Sequence, residues 1–122
     1  MDRRSRTWLT DIAVFGSRIL ATSAGRTAAD YVMDNDLRDI VERNLLKIGE
    51  MIVRLRDHDG ETVSQLEGFR GVIGLRNTIS HDYKSLSDEE IWELVQRALP
   101  VLLKDVGRVL DADDRSASER GG

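Results

Sequence analysis

The chain has 122 residues, no cysteine, one proline and ten glycines, with 40% hydrophobic and 33% charged residues. That length holds one domain, the lack of cysteine excludes a disulfide framework and a thiolate metal site, and no apolar run approaches the roughly 20 residues of a membrane helix. The net charge of −4 argues against a nonspecific nucleic-acid coat.

The basic start, Met1-Asp2-Arg3-Arg4-Ser5-Arg6, is not followed by an unbroken apolar stretch, so it does not read as a secretory signal. A soluble cytoplasmic domain is expected. Charge is unevenly spread: residues 1–33 carry +2 and residues 63–86 carry +1. Such local excess can steer a phosphate to one spot.

The apolar pattern has the helical period of 3.6. In the first element Trp8, Ile12, Phe15, Ile19 and Thr22 form a stripe, widened by Leu9, Ala13, Gly16 and Leu20, and Gly25 is a natural stop. The second opens behind Asp34-Asn35 and runs Leu37, Ile40, Val41, Leu45, Ile48, Ile52 and Leu55 to the polar turn Asp57-His58-Asp59-Gly60. A third, shorter segment carries Phe69, Val72, Ile73 and Ile79 with glycines at 68, 71 and 74. The fourth opens with a capping box, Ser87 to Glu90, and continues Ile91, Leu94, Val95, Ala98, Leu99, Leu102, Val106 and Leu110. Pro100 lies inside it and should kink it, because proline lacks the backbone donor.

The expected fold is all-α, an antiparallel bundle of four to five helices. The domain is placed over residues 4–110. Residues 1–6 and 111–122 lack periodicity, and 1–3 and 111–122 are expected as flexible tails.

Two histidines are available for chemistry, His58 and His81. His58 sits among turn residues and reads as a solvated turn. His81 stands in Arg76-Asn77-Thr78-Ile79-Ser80-His81-Asp82-Tyr83, where a guanidinium, an amide, an imidazole and a phenol fall within eight residues. On an unbroken helix Arg76 and His81 lie about 140° apart, so their convergence requires the helix to loosen near Ser80. The plain alternative is a helix-end cap with His81 on terminal carbonyls. The chemistry such a set could perform is attack on a phosphodiester. Arginine holds a phosphate with two parallel donors, and an imidazole exchanges protons near neutrality. RNA supplies its own nucleophile, the 2′-hydroxyl. Two proton transfers are needed and the chain offers one credible histidine, so the hypothesis requires a two-fold dimer with paired motifs.

Other signals are weaker. Gly68-Phe69-Arg70-Gly71 matches a GXXG clamp, but that fold needs strands, and the three glycines are better read as permitting close helix approach. Val14-Phe15-Gly16-Ser17-Arg18 followed by Asp34-Asn35-Asp36-Leu37 imitates a nucleotidyltransferase signature, yet both pieces fall on helical stripes.

Arg76-Asn77 through His81-Asp82-Tyr83 resembles the Rx4HxY motif of HepT-like toxins, a branch of the HEPN superfamily. Arg43-Asn44-Leu45-Leu46-Lys47-Ile48-Gly49-Glu50, Gly74-Leu75-Arg76-Asn77 and Ile91-Trp92 through Leu99-Pro100 resemble further segments of that family, in order, over about residues 4–110. Met51 and Lys84-Ser85-Leu86 depart from its pattern.

The resemblance implies a HEPN-like helical bundle and a homodimeric, metal-independent ribonuclease without cofactor, the toxin component of a type VII-like toxin–antitoxin module. By that analogy Arg76 polarises the scissile phosphate, His81 acts as general base or acid, and Asn77 orients the site. It further implies a nucleotidyltransferase antitoxin that attaches AMP to Tyr83, placing phosphate charge beside Arg76. The alternative function is a noncatalytic helical adaptor or nucleotide-binding partner of a nucleotidyltransferase.

Overall fold

The computed structural model describes residues 1–68 and 87–121. Among them there are five helices and no strand: α1 (Arg3–Ser23), α2 (Ala28–Met33), α3 (Asn35–His58), α4 (Gly60–Val63) and α5 (Asp88–Gly121). None is long and apolar enough to cross a membrane.

Each long helix starts where the sequence supplies a side-chain acceptor for free backbone donors. Asp2 accepts from Ser5 N at 2.9 Å and caps α1; Asp34 accepts from Leu37 N at 3.1 Å and caps α3. At α5 the capping box forms as expected, with Ser87 N on Glu90 Oε1 and Glu90 N on Ser87 Oγ, each 3.2 Å. Gly25, at φ 73°, takes the left-handed conformation just beyond α1.

The helices then bury their stripes together. Leu9, Ile12 and Ile19 of α1, Leu37, Val41, Leu45, Ile48, Ile52 and Leu55 of α3, and Ile91, Val95, Leu99, Leu102 and Val106 of α5 make one core. Ile40 and Leu94 are corrections to the expected stripes: they are 41% and 38% exposed. Each sits at the margin of its helix face, where periodicity cannot say how far a neighbour reaches. Ser5 Oγ donates to Asp59 Oδ2 at 2.8 Å and Lys47 lies over Phe15, which sets α1 antiparallel to α3. Arg6 pairs with Asp113 while Gly16 meets Leu103, so α1 is antiparallel to α5 as well.

Two short helices escape the sequence reading. α2 is six residues long, too short to show a period, and its Thr27–Asp30 capping box announces it instead. Its Tyr31 is completely buried, with its ring 5.2 Å from that of Trp92. α4 is a single turn capped by Asp59.

The segments expected as tails differ from the reading. Helix α1 starts at Arg3, Ser5 is fully buried, and residues 111–121 continue α5. Long-range charge joins the two ends: Arg6 reaches Asp113 and Asp114 at 2.8 Å each, and the Met1 ammonium lies 3.3 Å from Asp113. Periodicity is blind to such pairs. Pro100 stands inside continuous helix, on its exposed side.

Candidate functional site

Arg76, Asn77, His81 and Tyr83, and with them the third predicted segment, lie outside the described residues. The scaffold on either side is defined. Leu66 is fully buried, Glu67 N donates to Asp105 Oδ2 at 2.7 Å, and Arg108 donates to Gln65 O at 2.8 Å. Gly68 then meets α5 so closely that an added Cβ would lie 3.2 Å from Ala98 O, Leu102 N and Leu102 Cβ. The close approach expected of the glycines is therefore present at Gly68. The chain leaves the described core beside the middle of α5 and rejoins it at Ser87. These anchors stand roughly 18 Å apart along the helix axis, from the rise of 1.5 Å per residue.

The two described segments that carry the family resemblance are mostly core. In α3, Asn44, Leu45, Ile48 and Gly49 are buried while Arg43 and Lys47 are exposed. Met51, the departure from the family's pattern, packs half-buried against the core. In α5, Ile91, Trp92 and Leu99 are buried. Asn44 donates from Nδ2 to Ile40 O at 2.8 Å, and its buried Oδ1 has no hydrogen-bond partner among the described residues.

His58 is no free turn residue. Its Nε2 lies 2.5 Å from Asp2 Oδ2, and its ring stands edge-on to Trp8 at 5.3 Å between centroids. The Ser5 backbone donor, followed by His58, holds the Asp2 carboxyl down at about 2. Asp59 is also lowered, first by the Thr62 hydroxyl, which donates at 2.7 Å, with burial opposing and Ser5 assisting. Asp2 is the carboxylate in contact with this histidine, while its neighbour Asp57 pairs with Arg56 at 3.3 Å. The role of His58 is to fasten the start of α1 to the end of α3. Among the described residues no group of three or more His, Asp or Glu side chains is placed to hold a metal ion.

A contrasting spot lies three helical turns away. Phe15 of α1 has the Arg18 guanidinium 5.6 Å from its ring centroid and the Lys47 ammonium of α3 at 5.2 Å. Sequence reasoning missed this pairing because it depends on the antiparallel register of α1 and α3. The imitation nucleotidyltransferase signature dissolves here: Gly16 and Ser17 are inside α1, and Asp34 is a helix cap.

Comparison with known proteins gives two matches. The family model described as "Ribonuclease HepT-like" matches residues 15–109. A protein of Caldanaerobacter subterraneus subsp. tengcongensis that carries the name "Putative RNase" is 28% identical over 89 residues, which is 73% of this chain and 79% of that protein. No solved structure matches the chain significantly.

Proposed function

The chain belongs to the HepT-like ribonuclease family, and from that membership we propose that it is a metal-independent endoribonuclease, the toxin half of a type VII-like toxin–antitoxin pair. The observation that carries this reading is the family match over residues 15–109, a range that includes Arg76, Asn77, His81 and Tyr83.

In the proposed reaction His81 of one protomer takes the proton of the RNA 2′-hydroxyl. The freed oxygen attacks phosphorus and the 5′-oxygen departs, receiving its proton from the imidazole of the second protomer. A cyclic phosphate and a 5′-hydroxyl result. Arg76 holds the nonbridging oxygens and stabilises the charge gathered on them in the transition state. Asn77 orients the phosphate. The described histidine, His58, is committed to Asp2, which leaves His81 for the chemistry.

Control follows from the same charge logic. A nucleotidyltransferase antitoxin transfers AMP to the Tyr83 hydroxyl, and the added phosphate competes with RNA for Arg76. The only other tyrosine, Tyr31, is completely buried, and burial followed by the nearby Glu42 carboxylate raises its hydroxyl pKa. It is closed to a transferase, which supports Tyr83 as the acceptor.

The test is RNA cleavage by the purified protein in EDTA. Arg76→Ala should lose about 10²–10³-fold and His81→Ala about 10²–10⁴-fold, with the dimer intact by gel filtration. Undiminished cleavage in either variant overturns the assignment, and absence of cleavage by the unaltered protein favours a noncatalytic adaptor. Mass spectrometry after incubation with the cognate transferase and ATP reads the modification. Its persistence in Tyr83→Phe rejects the acceptor.

A further inference from the structure

We infer that Arg18 and Lys47, held on either helix against Phe15, form a docking patch for the phosphate backbone of single-stranded RNA, separate in sequence from the cleavage motif. The inference rests on the ribonuclease reading above and adds where the substrate strand is held.

The first observation is missing neutralisation. The chain carries 22 acidic residues against 18 basic ones, so counter-charge is plentiful. Arg6, Arg26, Arg38, Arg56, Arg97 and Arg108 each have a carboxylate within 4.0 Å. Arg18 and Lys47 have none among the described residues, although both are exposed and carboxylates stand nearby in sequence at Asp11 and Glu50. Two like charges thus share one aromatic ring, with no carboxylate of the described residues in ion-pair contact with either. In a folded acidic protein this leaves a focused positive potential that attracts a polyanion.

The second observation is order. The half-buried Phe15 ring attracts both exposed cationic heads modestly and biases them toward this place before any ligand arrives. Preorganised heads lose less side-chain freedom on binding than free lysines and arginines do. With its faces turned to cations, the ring is not a stacking platform for bases, so recognition here is of backbone charge and independent of sequence.

The third is alignment. Arg43 and Lys47 are one turn apart on α3, and Arg54 follows on the same face two turns later, with the half-buried Glu50 standing between Lys47 and Arg54. All three are exposed and none has an ion pair among the described residues. From Arg43 to Arg54 the line runs roughly 16 Å along the axis, room for several consecutive phosphates. A strand with regularly spaced charge fits such a line better than the scattered carboxylates of a protein surface.

The experiment uses a fluorescent 2′-O-methyl RNA oligonucleotide, which lacks the nucleophile and so reports binding without cleavage. Binding to the full chain is measured over a range of salt, for the unaltered protein, for Arg18→Gln/Lys47→Gln, and for Arg115→Gln/Arg120→Gln. The last pair makes the same change in net charge at exposed positions near the end of α5. Loss of two phosphate contacts should lower the slope of log affinity against log salt by about 1.4, from about 0.7 per contact for single strands. The control pair should keep the slope. On cleavable RNA the Arg18→Gln/Lys47→Gln protein should show a raised KM with kcat retained. An unchanged slope and KM in that protein, with cleavage intact, overturns the patch while leaving the nuclease standing, and hands this face to an acidic protein partner. Failure of the unaltered protein to bind or cleave RNA overturns both.

Discussion

The carboxylate of Asp2 and the imidazole of His58 meet at 2.5 Å, so that the cap of α1 and the last residue of α3 are a single fastening. The Asp2 carboxyl has a pKa of about 2 instead of its ordinary 3.8, because the Ser5 N–H and then His58 favour the charged form. The folded state therefore binds this proton less tightly than the unfolded chain. The stabilisation is whole above pH 3.8 and is lost as pH falls toward 2. Carboxyl NMR should place the Asp2 midpoint near 2. In His58→Ala it should rise only part of the way to 3.8, because the Ser5 donor remains.

Gly68 lies where α5 leaves no space for a side chain. In Gly68→Ala the new Cβ would press on backbone atoms of Ala98 and Leu102, which cannot rotate away as a side chain would. The substitution should cost about 1–3 kcal/mol, read as a lower midpoint in urea unfolding.

Gly16 tests the opposite case. A Cβ there would come 2.5 Å from Leu103 Cδ2, the end of a movable side chain. Gly16→Ala should be milder than Gly68→Ala, because Leu103 can turn and alanine favours the helix by about 1 kcal/mol. Combining Gly16→Ala with Leu103→Ala should give less destabilisation than the sum of the two, as a double-mutant cycle in urea would show.

Asn44 keeps a carbonyl oxygen buried without a partner among the described residues. An unsatisfied buried acceptor costs about 1–3 kcal/mol. Asn44→Leu should therefore hold or raise the melting temperature despite the lost bond to Ile40 O, which the helix backbone still uses.

Much of the scaffold was legible in the sequence. The stripes of α1, α3 and α5 and the caps at Asp34 and Ser87 follow from period and residue chemistry, which act over four or five residues. What escaped depends on contacts far apart in the chain. The fate of His58 is set by Asp2, and the Arg18–Lys47 pair by the register of two helices. The helical course of residues 111–121 goes with the ion pairs that Met1 and Arg6 make to Asp113. The motif residues Arg76 to Tyr83 were singled out by their side-chain chemistry and by resemblance, and their geometry lies outside the described residues.

Those ion pairs yield a further expectation. Burial pushes the Asp113 carboxyl up, but the Arg6 and Met1 donors outweigh it and leave it lowered. Deleting residues 111–122 should destabilise the protein by about 1 kcal/mol, a shift of a few degrees in thermal unfolding, and speed amide exchange in the first turn of α1. A loose tail would give no change.

Pro100 interrupts the hydrogen bonding of α5 but not its course. Proline offers no N–H, so the Gln96 carbonyl lacks its usual rung in the helical ladder, and both residues face water, which can fill the gap. At the level of Pro100, on another side of the same helix, Gly68 leans on Ala98 and Leu102. Helix α5 is thus one continuous rod with a single missing rung: the part before it begins at Ser87, and the part after it clamps the start of α1.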